Sequence, residues 1–398
     1  MRRERAVYRV VTLMGSGAAK NTDAPPRPIE MRPMAPSSRE LERFDACFTR
    51  NGAPRDREVL RWQYLDNPTG ALFVDFAVAG AAGAGGQAGA EPEPSLAAIY
   101  ASIPVDFRVL GQRRRGIQSV DTMTDRDFRG QGLFVKLAKQ TYARAADAGV
   151  ALVYGTPNGS SAHGFFQRLD WRDLDPVPFL IRPLRVRWVL EKLKLARAAG
   201  WLPDLRFPTG GGRGGRGERS GRIERIDRFD ERFTRLWSEF ARTVGIAVER
   251  DARYLSWRLV DKPGEDYRSF FVSGGSDSSS SSDEIAAFTS HCTKLKERSR
   301  IGYIMEALCT REGARPLRHL LRNALADMAA RDADVALAWC LPHSPTYSSF
   351  LQVGFVPFPR RLWPIELHFG ARAFDPAIAA QVNDRRAWYL SYLDCDTV

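Results

Sequence analysis

Hydrophobic and polar positions follow a helical period and a strand period in turn along the first half of the chain. Within Gly132–Ala148, apolar residues such as Leu133 and Leu137 recur at the spacing of one helix face. The segments on either side, Ile117–Thr124 and Val150–Gly155, are short and mostly apolar. Short apolar runs beside a long amphipathic stretch predict the order strand, helix, strand.

The second half repeats this order, with a strand at Ile301–Leu308, a helix at Leu317–Ala333 and a strand at Val335–Cys340. In each half, two further strands precede the central strand: Leu72–Val78 with Leu96–Ile103, and Arg268–Ser273 with Ile285–His291. This mixture predicts an α/β (α+β) fold, with a mixed, mostly antiparallel sheet flanked by helices in each half.

Sequence matches between the halves indicate a doubled unit. The stretch Leu60–Pro68 shares its Leu, Trp, Asp and Pro with Leu255–Pro263, 195 residues later. Phe165 recurs as Phe350, 185 residues later. The two offsets differ partly because the loop at 80–94 is longer than the loop at 274–283.

The predicted organisation has five parts, and a chain of 398 residues suits two domains of about 150–200 residues each. The parts are a disordered basic N-terminus (1–27), a first domain (28–183), a basic helix with a Gly/Arg-rich linker (184–221), a second domain (222–375) and a C-terminal helical tail (376–398).

The net charge of +12 suggests an anionic partner without choosing its class. We expect the Gly/Arg-rich run to be a flexible linker rather than a site for nucleic acid. The basic helix at 183–199 leaves two alternatives, packing between domains or peripheral contact with a membrane. Scattered cysteines without C-x-x-C spacing predict a cytoplasmic protein with no metal site. The oligomeric state is not predicted.

The stretch between the central strand and the helix of the first half carries the strongest chemical signal. It reads Asp127-Phe128-Arg129-Gly130-Gln131-Gly132-Leu133-Phe134. Alternate glycines permit positive φ and let an anion approach the backbone, while amides at a helix start and the helix dipole attract that anion. The turn therefore predicts a pyrophosphate site.

At these residues the chain resembles the GCN5-related N-acetyltransferase (GNAT) superfamily, whose signature is Gln/Arg-x-x-Gly-x-Gly/Ala. Gly130 and Gly132 fill the glycine places, whereas Asp127 stands where the family has Gln or Arg. The resemblance implies acetyl-CoA, or another acyl-CoA, as co-substrate. It implies a cofactor site made by the following residues: Met123 and Thr124 toward the pantetheine arm, Phe128, Arg129, Gly130, Gln131, Gly132 and Leu133 around the pyrophosphate, and Asn158 after the next strand.

The resemblance also suggests an acid and a base. Asp121 lies on the central strand, where members of the family often have a carboxylate that acts as general base. Glu306 occupies the matching place in the second half, which would also fit a structural role for this carboxylate. Phe166 stands where the family usually has a Tyr that acts as general acid, and a Phe side chain cannot donate a proton. His163, one turn earlier, is the substitute candidate, and Tyr154 is another.

The leading prediction is an N-acyltransferase that passes an acyl group directly from CoA to an amine on a small molecule or sugar. One alternative is a FemABX-like aminoacyl transferase that uses aminoacyl-tRNA, and another is a CoA-binding scaffold without turnover. Arg315 and Leu317 replace the two glycines in the second half. We therefore expect a single CoA site, in the first half.

Overall fold

The computed structural model describes residues 28–80, 95–192, 205–210, 221–274, 284–360, 363 and 367–395. The predicted disordered N-terminus, nearly all of the Gly/Arg-rich run and most of both low-complexity loops lie outside the described residues. The described part combines strands and helices in the α/β (α+β) manner that the sequence predicts.

The strands are β1 (Ile29–Pro33), β2 (Phe73–Ala79), β3 (Ser95–Val109), β4 (Gln112–Thr124), β5 (Leu152–Gly155), β6 (Arg172–Asp173), β7 (Phe179–Pro183), β8 (Ile223–Arg225), β9 (Ile246–Val248), β10 (Arg268–Ser273), β11 (Ile285–Lys296), β12 (Ser299–Cys309), β13 (Val335–Trp339), β14 (Val356–Pro357) and β15 (Gly370–Ala373). The α-helices are α1 (Ser38–Arg50), α2 (Arg57–Tyr64), α3 (Leu133–Asp147), α4 (Gly159–Arg168), α5 (Val186–Lys192), α6 (Glu231–Phe240), α7 (Ala252–Leu259), α8 (Ala314–Ala330), α9 (Tyr347–Gln352) and α10 (Ala379–Val382).

Four helices begin at polar side chains that cap their first amides. The caps are Ser37 on α1, Asp56 on α2, Asp230 on α6 and Asp251 on α7. Each cap accepts a hydrogen bond from an amide that has no partner within the helix, which typically stabilises a helix by about 1 kcal/mol. These caps fix where the two helices that follow β1 and the two that follow β8 begin.

The chain divides into two compact units. Unit 1 comprises Met1–Pro104, Arg115–Asp173 and Gly370–Asp375, and unit 2 comprises Val105–Arg114, Leu174–Phe369 and Pro376–Val398.

The sheet of unit 1 has the order β1-β2-β3-β4-β5-β15-β6 among the described strands. β4 and β5 are parallel, whereas β1–β2, β2–β3, β5–β15 and β15–β6 are antiparallel. Helix α3 covers one face with a buried row that includes Leu133, Leu137 and Tyr142. This row is the face that the helical spacing predicts.

The sheet of unit 2 has the order β14-β7-β13-β12-β11-β10-β8 among the described strands. β12 and β13 form a parallel pair, and α8 packs its buried leucines against the core. The succession β8-β10-β11-β12-β13 corresponds to β1-β2-β3-β4-β5 of unit 1. Both sheets are mostly antiparallel and flanked by helices, which confirms the predicted fold class.

Two strands lie outside the domains in which the sequence placed them. β7, within the predicted first domain, pairs with β13 and β14 in unit 2. β15, within the predicted second domain, pairs with β5 and β6 in unit 1. The borders at 183 and 375 therefore differ from the units of the structure, because strand pairing rather than chain order determines which sheet a strand completes.

The C-terminal residues belong to unit 2 and are more than a helical tail. The short helix α10 is followed by 3₁₀ turns at Arg385–Ala387 and Tyr392–Asp394. Tyr389, Tyr392 and Leu393 are buried there. Of the predicted basic helix at 183–199, α5 is the helical part within the described residues.

Candidate functional site

The central strand β4 of unit 1 extends past the point where its pairing with β5 ends. β5 pairs with Gly116–Gln118, whereas β4 continues to Thr124. Gly155 ends β5 against β4, where an added Cβ would lie 3.1 Å from the Ser119 carbonyl oxygen and 3.3 Å from the Trp171 ring. Met123 and Thr124 are half-buried at the far end of β4. Their role in binding the pantetheine arm remains a prediction from the family resemblance.

The turn between β4 and α3 is open at both of its glycines. Gly130 has φ +82° and Gly132 has φ +71°, and an ideal Cβ on either would meet nothing within 4 Å. Gly132 directly precedes helix α3 and, having no side chain, leaves the helix start without a side-chain cap. The first amides of a helix have no acceptor within the helix, so this uncapped start presents donors and a positive dipole end to an anion.

Asp125, which the sequence analysis did not single out, fixes the entry to this turn. Its carboxylate accepts hydrogen bonds from the Asp127 amide at 3.0 Å, Arg50 Nε at 2.8 Å and Asn51 Nδ2 at 3.1 Å. Burial opposes ionisation of Asp125, but these donors outweigh it and hold its pKa below the usual value. Asn51 also accepts a hydrogen bond from the Arg126 amide at 3.0 Å. The sequence signal was an Asp placed to cap the short helix at 126–128.

Asp121, on β4, is held in place by three side-chain donors. Its carboxylate pairs with Arg55 and accepts hydrogen bonds from Gln63 Nε2 at 2.9 Å and Tyr64 hydroxyl at 2.8 Å. Its φ of +41° lies in the left-handed region, a strained backbone that is often found at functional sites. Burial, and then the Asp121 charge, raise the pKa of Tyr64. Tyr64 therefore stays protonated, and its hydroxyl donates a hydrogen bond to the Asp121 carboxylate.

The remaining candidates lie on or beside α4. Asn158 caps this helix, since its side-chain oxygen accepts the Ser161 amide at 3.1 Å. His163 is exposed on the same helix. Phe166 is partly buried against the core of unit 1, which fits packing rather than proton transfer. Tyr154 is buried in β5 with 1% of its surface exposed, so core packing also accounts for it.

Residues 44–173 match the sequence model of the family described as an acetyltransferase (GNAT) domain. Over these residues the chain matches a GNAT domain. The match covers the turn, the central strand and both helices of the candidate site. A comparison with curated protein sequences finds no significant match.

Solved structures with similar folds extend over more of the chain than the GNAT domain. N-myristoyltransferase of Saccharomyces cerevisiae with bound myristoyl-CoA has TM-score 0.54 and 13% identity, over 86% of this chain and 82% of that one. A GCN5-related N-acetyltransferase from Anabaena variabilis has TM-score 0.56 and 11% identity, over 87% and 73%. A probable N-acyltransferase from Enterococcus faecalis has TM-score 0.54 and 13% identity, over 87% and 73%. At these identities the likeness shows the fold.

The corresponding turn in unit 2 differs from that of the GNAT domain. The Arg311 amide donates a hydrogen bond to Glu239 Oε1 at 2.8 Å. Gly313 is buried, and an ideal Cβ there would lie 2.1 Å from the Ala286 carbonyl oxygen. Leu317 points into the core with no exposed surface. This turn is closed by the unit's own atoms.

Two searches of the described residues bear on other classes of site. No group of three or more His, Cys, Asp or Glu side chains there is arranged to hold a metal ion. No described helix is long and apolar enough to cross a membrane.

Proposed function

We propose that this chain is an acyl-CoA-dependent N-acyltransferase that passes an acyl group, acetyl in the simplest case, to a primary amine within a ternary complex. The observation that carries the proposal is the open Gly130–Gly132 turn at the uncapped start of α3. Anion sites at helix starts combine free amides with a favourable dipole, and this turn adds the exposed side chains of Arg126 and Arg129.

In this proposal the amides from Phe128 to Leu133 bind the CoA pyrophosphate. The backbone of Met123 and Thr124 binds the pantetheine arm beyond the last β4–β5 pair, and this placement is supported by the parting of these strands after Gln118. Asn158 remains a proposed cofactor contact, although its side-chain oxygen already caps α4. CoA supplies a thioester whose sulfur leaves when an amine attacks the acyl carbon.

Asp121 is the proposed base, acting on the attacking amine through water. Its three donors hold the carboxylate in one orientation, which favours a positioned acceptor. His163 remains the proposed proton donor on α4, supported by its exposure to solvent. A cytoplasmic location is proposed as well, supported by five free, buried cysteines: Cys47, Cys292, Cys309, Cys340 and Cys395.

Calorimetry with two acyl chain lengths tests the cofactor part of the proposal. Acetyl-CoA and myristoyl-CoA are titrated into the full chain, with CoA itself as the reference. The proposal predicts binding of CoA and of at least one thioester. The preferred thioester then enters a thiol-release assay with a panel of sugar amines, small amines and peptide amines, in which release must depend on the amine.

The outcomes of these two assays separate the alternatives. Binding followed by amine-dependent release of CoA supports the proposed transferase. Binding of the thioester without release of CoA for any amine favours the CoA-binding scaffold. Phe166, which stands in the usual position of the general acid and cannot donate a proton, is the specific reason to consider this alternative. Failure to bind CoA and every thioester contradicts the proposal and favours the aminoacyl-tRNA alternative.

A further inference from the structure

A chain of buried polar side chains links the core of unit 1 to β4. Trp171 Nε1 donates a hydrogen bond to the Tyr142 hydroxyl at 3.0 Å. The Tyr142 and Tyr100 hydroxyls are 2.6 Å apart, and the Tyr100 hydroxyl is 2.8 Å from Ser119 Oγ. Tyr100, Tyr142 and Trp171 are each at least 96% buried, whereas Ser119 is half-buried. The chain therefore leads from the core to the surface of the strand.

The Trp171 indole, at the inner end, sets the direction in which the hydrogen bonds of this series are donated. Trp171 can only donate, so the Tyr142 oxygen is an acceptor. Buried hydroxyl protons need acceptors, and the one bonded to Tyr142 is Tyr100. We assign the Tyr100 proton to Ser119 Oγ, 2.8 Å away, although the buried Ser102 hydroxyl also lies beside Tyr100. With this assignment, Ser119 donates its own proton outward. Burial raises the pKa of both tyrosines, so they keep their protons at neutral pH.

Ser119, at the outer end of this series of hydrogen bonds, lies where β4 and β5 separate. Ser119 is the first β4 residue after the last β4–β5 pair, Gln118 with Tyr154. An added Cβ on Gly155 would touch both the Ser119 carbonyl oxygen and the Trp171 ring. Trp171 and Ser119, at the two ends of this series of hydrogen bonds, therefore both lie next to Gly155 at the end of β5. Burying polar side chains costs free energy unless each one has hydrogen-bond partners. A core that needed only packing here could use apolar side chains instead.

We propose that Ser119 is a catalytic residue that donates a hydrogen bond to the thiolate sulfur as it leaves, with Tyr100 and Tyr142 as positioning residues. This inference rests on the proposed acyltransferase function. In the step, the amine nitrogen bonds to the acyl carbon and the carbon–sulfur bond breaks, with its electron pair going to sulfur. The nitrogen loses one proton through water to Asp121, and Ser119 keeps its own. A preoriented donor of this kind stabilises developing charge without the acid that Phe166 cannot supply.

The first test measures the ionisation of bound CoA, which needs no acceptor amine. The thiolate absorbance of CoA bound to the full chain is followed against pH for the wild type, Ser119→Ala, Ser119→Thr and Tyr142→Phe. A lost hydrogen bond to a charged group predicts an ionisation constant of the thiol about tenfold lower in Ser119→Ala. Ser119→Thr keeps the hydroxyl and should restore it, and Tyr142→Phe should fall between.

The second test measures turnover with the amine that supports thiol release. Ser119→Ala should lower kcat by about 10- to 100-fold with little change in KM for the thioester. The matched control is Ser269→Ala, which removes another buried hydroxyl, bonded to Ser290 at 3.0 Å in unit 2. This control should leave both readouts unchanged.

The outcomes separate this inference from the proposed function. CoA binding with an unchanged thiol ionisation constant in Ser119→Ala overturns the inference and leaves the transferase proposal standing. A lower unfolding temperature in Tyr142→Phe without a shift in the thiol would show a structural network only. A wild type that binds no CoA overturns both proposals.

Discussion

The turns before the two matching helices differ between the units. The 185-residue sequence offset sets Gly130 and Gly132 against Arg315 and Leu317, whereas in the structure Gly132 and Gly313 are the residues that precede helices α3 and α8. Gly130 and Gly132 lie in open space at positive φ, whereas Leu317 fills the core and the nearby Arg311 amide is bonded to Glu239. The same strand and helix thus surround a turn that can receive an anion in unit 1. In unit 2, the protein's own carboxylate already meets an amide of the turn.

The carboxylates on the two central strands show a second contrast. Asp121, whose side chain is 8% exposed, pairs with Arg55, whose side chain is 26% exposed. Glu306 pairs with Arg250 at 2.8 Å, and both side chains are fully buried. Arg250 also pairs with Asp394 at 2.7 Å, and Ser391 donates to Glu306 at 2.9 Å. A carboxylate at this position therefore has a structural role in unit 2, and only the more open surroundings of Asp121 leave room for chemistry.

The largest expected effect distinguishes these two carboxylates by stability. Arg250→Met leaves Glu306 and Asp394 buried without their cation and should lower the free energy of unfolding by about 3–5 kcal/mol. Arg55→Met should cost only about 1–2 kcal/mol, because Gln63 and Tyr64 still donate to Asp121 and the site is partly solvated. Urea unfolding of both variants checks this prediction. Equal losses would remove the contrast.

The next largest effect is expected from filling the open turn of unit 1. Gly132→Leu places a bulky side chain at φ +71° in this turn and should weaken CoA binding by about 100-fold or more. The matched control is Gly149→Leu, because Gly149 has φ +77° in equally open space after the other end of α3. Calorimetry should show normal affinity for this control. Equal weakening in both variants would point to general damage.

A pH effect distinguishes the matching stretches Leu60–Pro68 and Leu255–Pro263, in which Lys262 takes the place of Asn67. Burial lowers the pKa of Lys262 to about 7, well below its value of about 10.4 in an unfolded chain. Between these values the unfolded state binds more protons, so stability should rise with pH. From about pH 7 to about pH 8.5 the rise should be about 2 kcal/mol, and Lys262→Asn should abolish it.

Urea unfolding of the wild type and Lys262→Asn across this range measures the difference. Lys294→Met serves as a control, because it removes the other cation that contacts Glu265, at 2.7 Å. The same slope in the wild type and Lys262→Asn would contradict the prediction.

The smallest expected effect concerns Glu239. Glu239→Ala removes the acceptor of the Arg311 amide and should cost about 1 kcal/mol in unfolding free energy. The variant should still bind no CoA in unit 2, since Arg315 and Leu317 remain. A second CoA site in calorimetry would show that Glu239 alone closes this turn.

The sequence predicted the elements around the site because their signals are local. Helical spacing identified α3, and two glycines identified the turn after β4. Asp125 was missed because its partners Arg50 and Asn51 lie about 75 residues earlier, a contact that spacing cannot show. The strained φ of Asp121 likewise has no signature in residue type.

The exchanged strands β7 and β15 could not be predicted from the sequence for a related reason. Each is a short apolar segment that could complete either sheet, and backbone pairing with β13 or β5 decides which. That the two halves arose as a repeat remains a prediction from the sequence. The hydroxyl chain from Trp171 to Ser119 also joins four separate elements and leaves no local pattern.

The number of CoA molecules bound per chain tests the central claim most directly. Calorimetric titration of CoA into the full chain should give one site, and Gly132→Leu should abolish it while Gly149→Leu keeps it. Two sites per chain, or one site that survives Gly132→Leu with unchanged affinity, would contradict the assignment of CoA to the open turn of the GNAT domain.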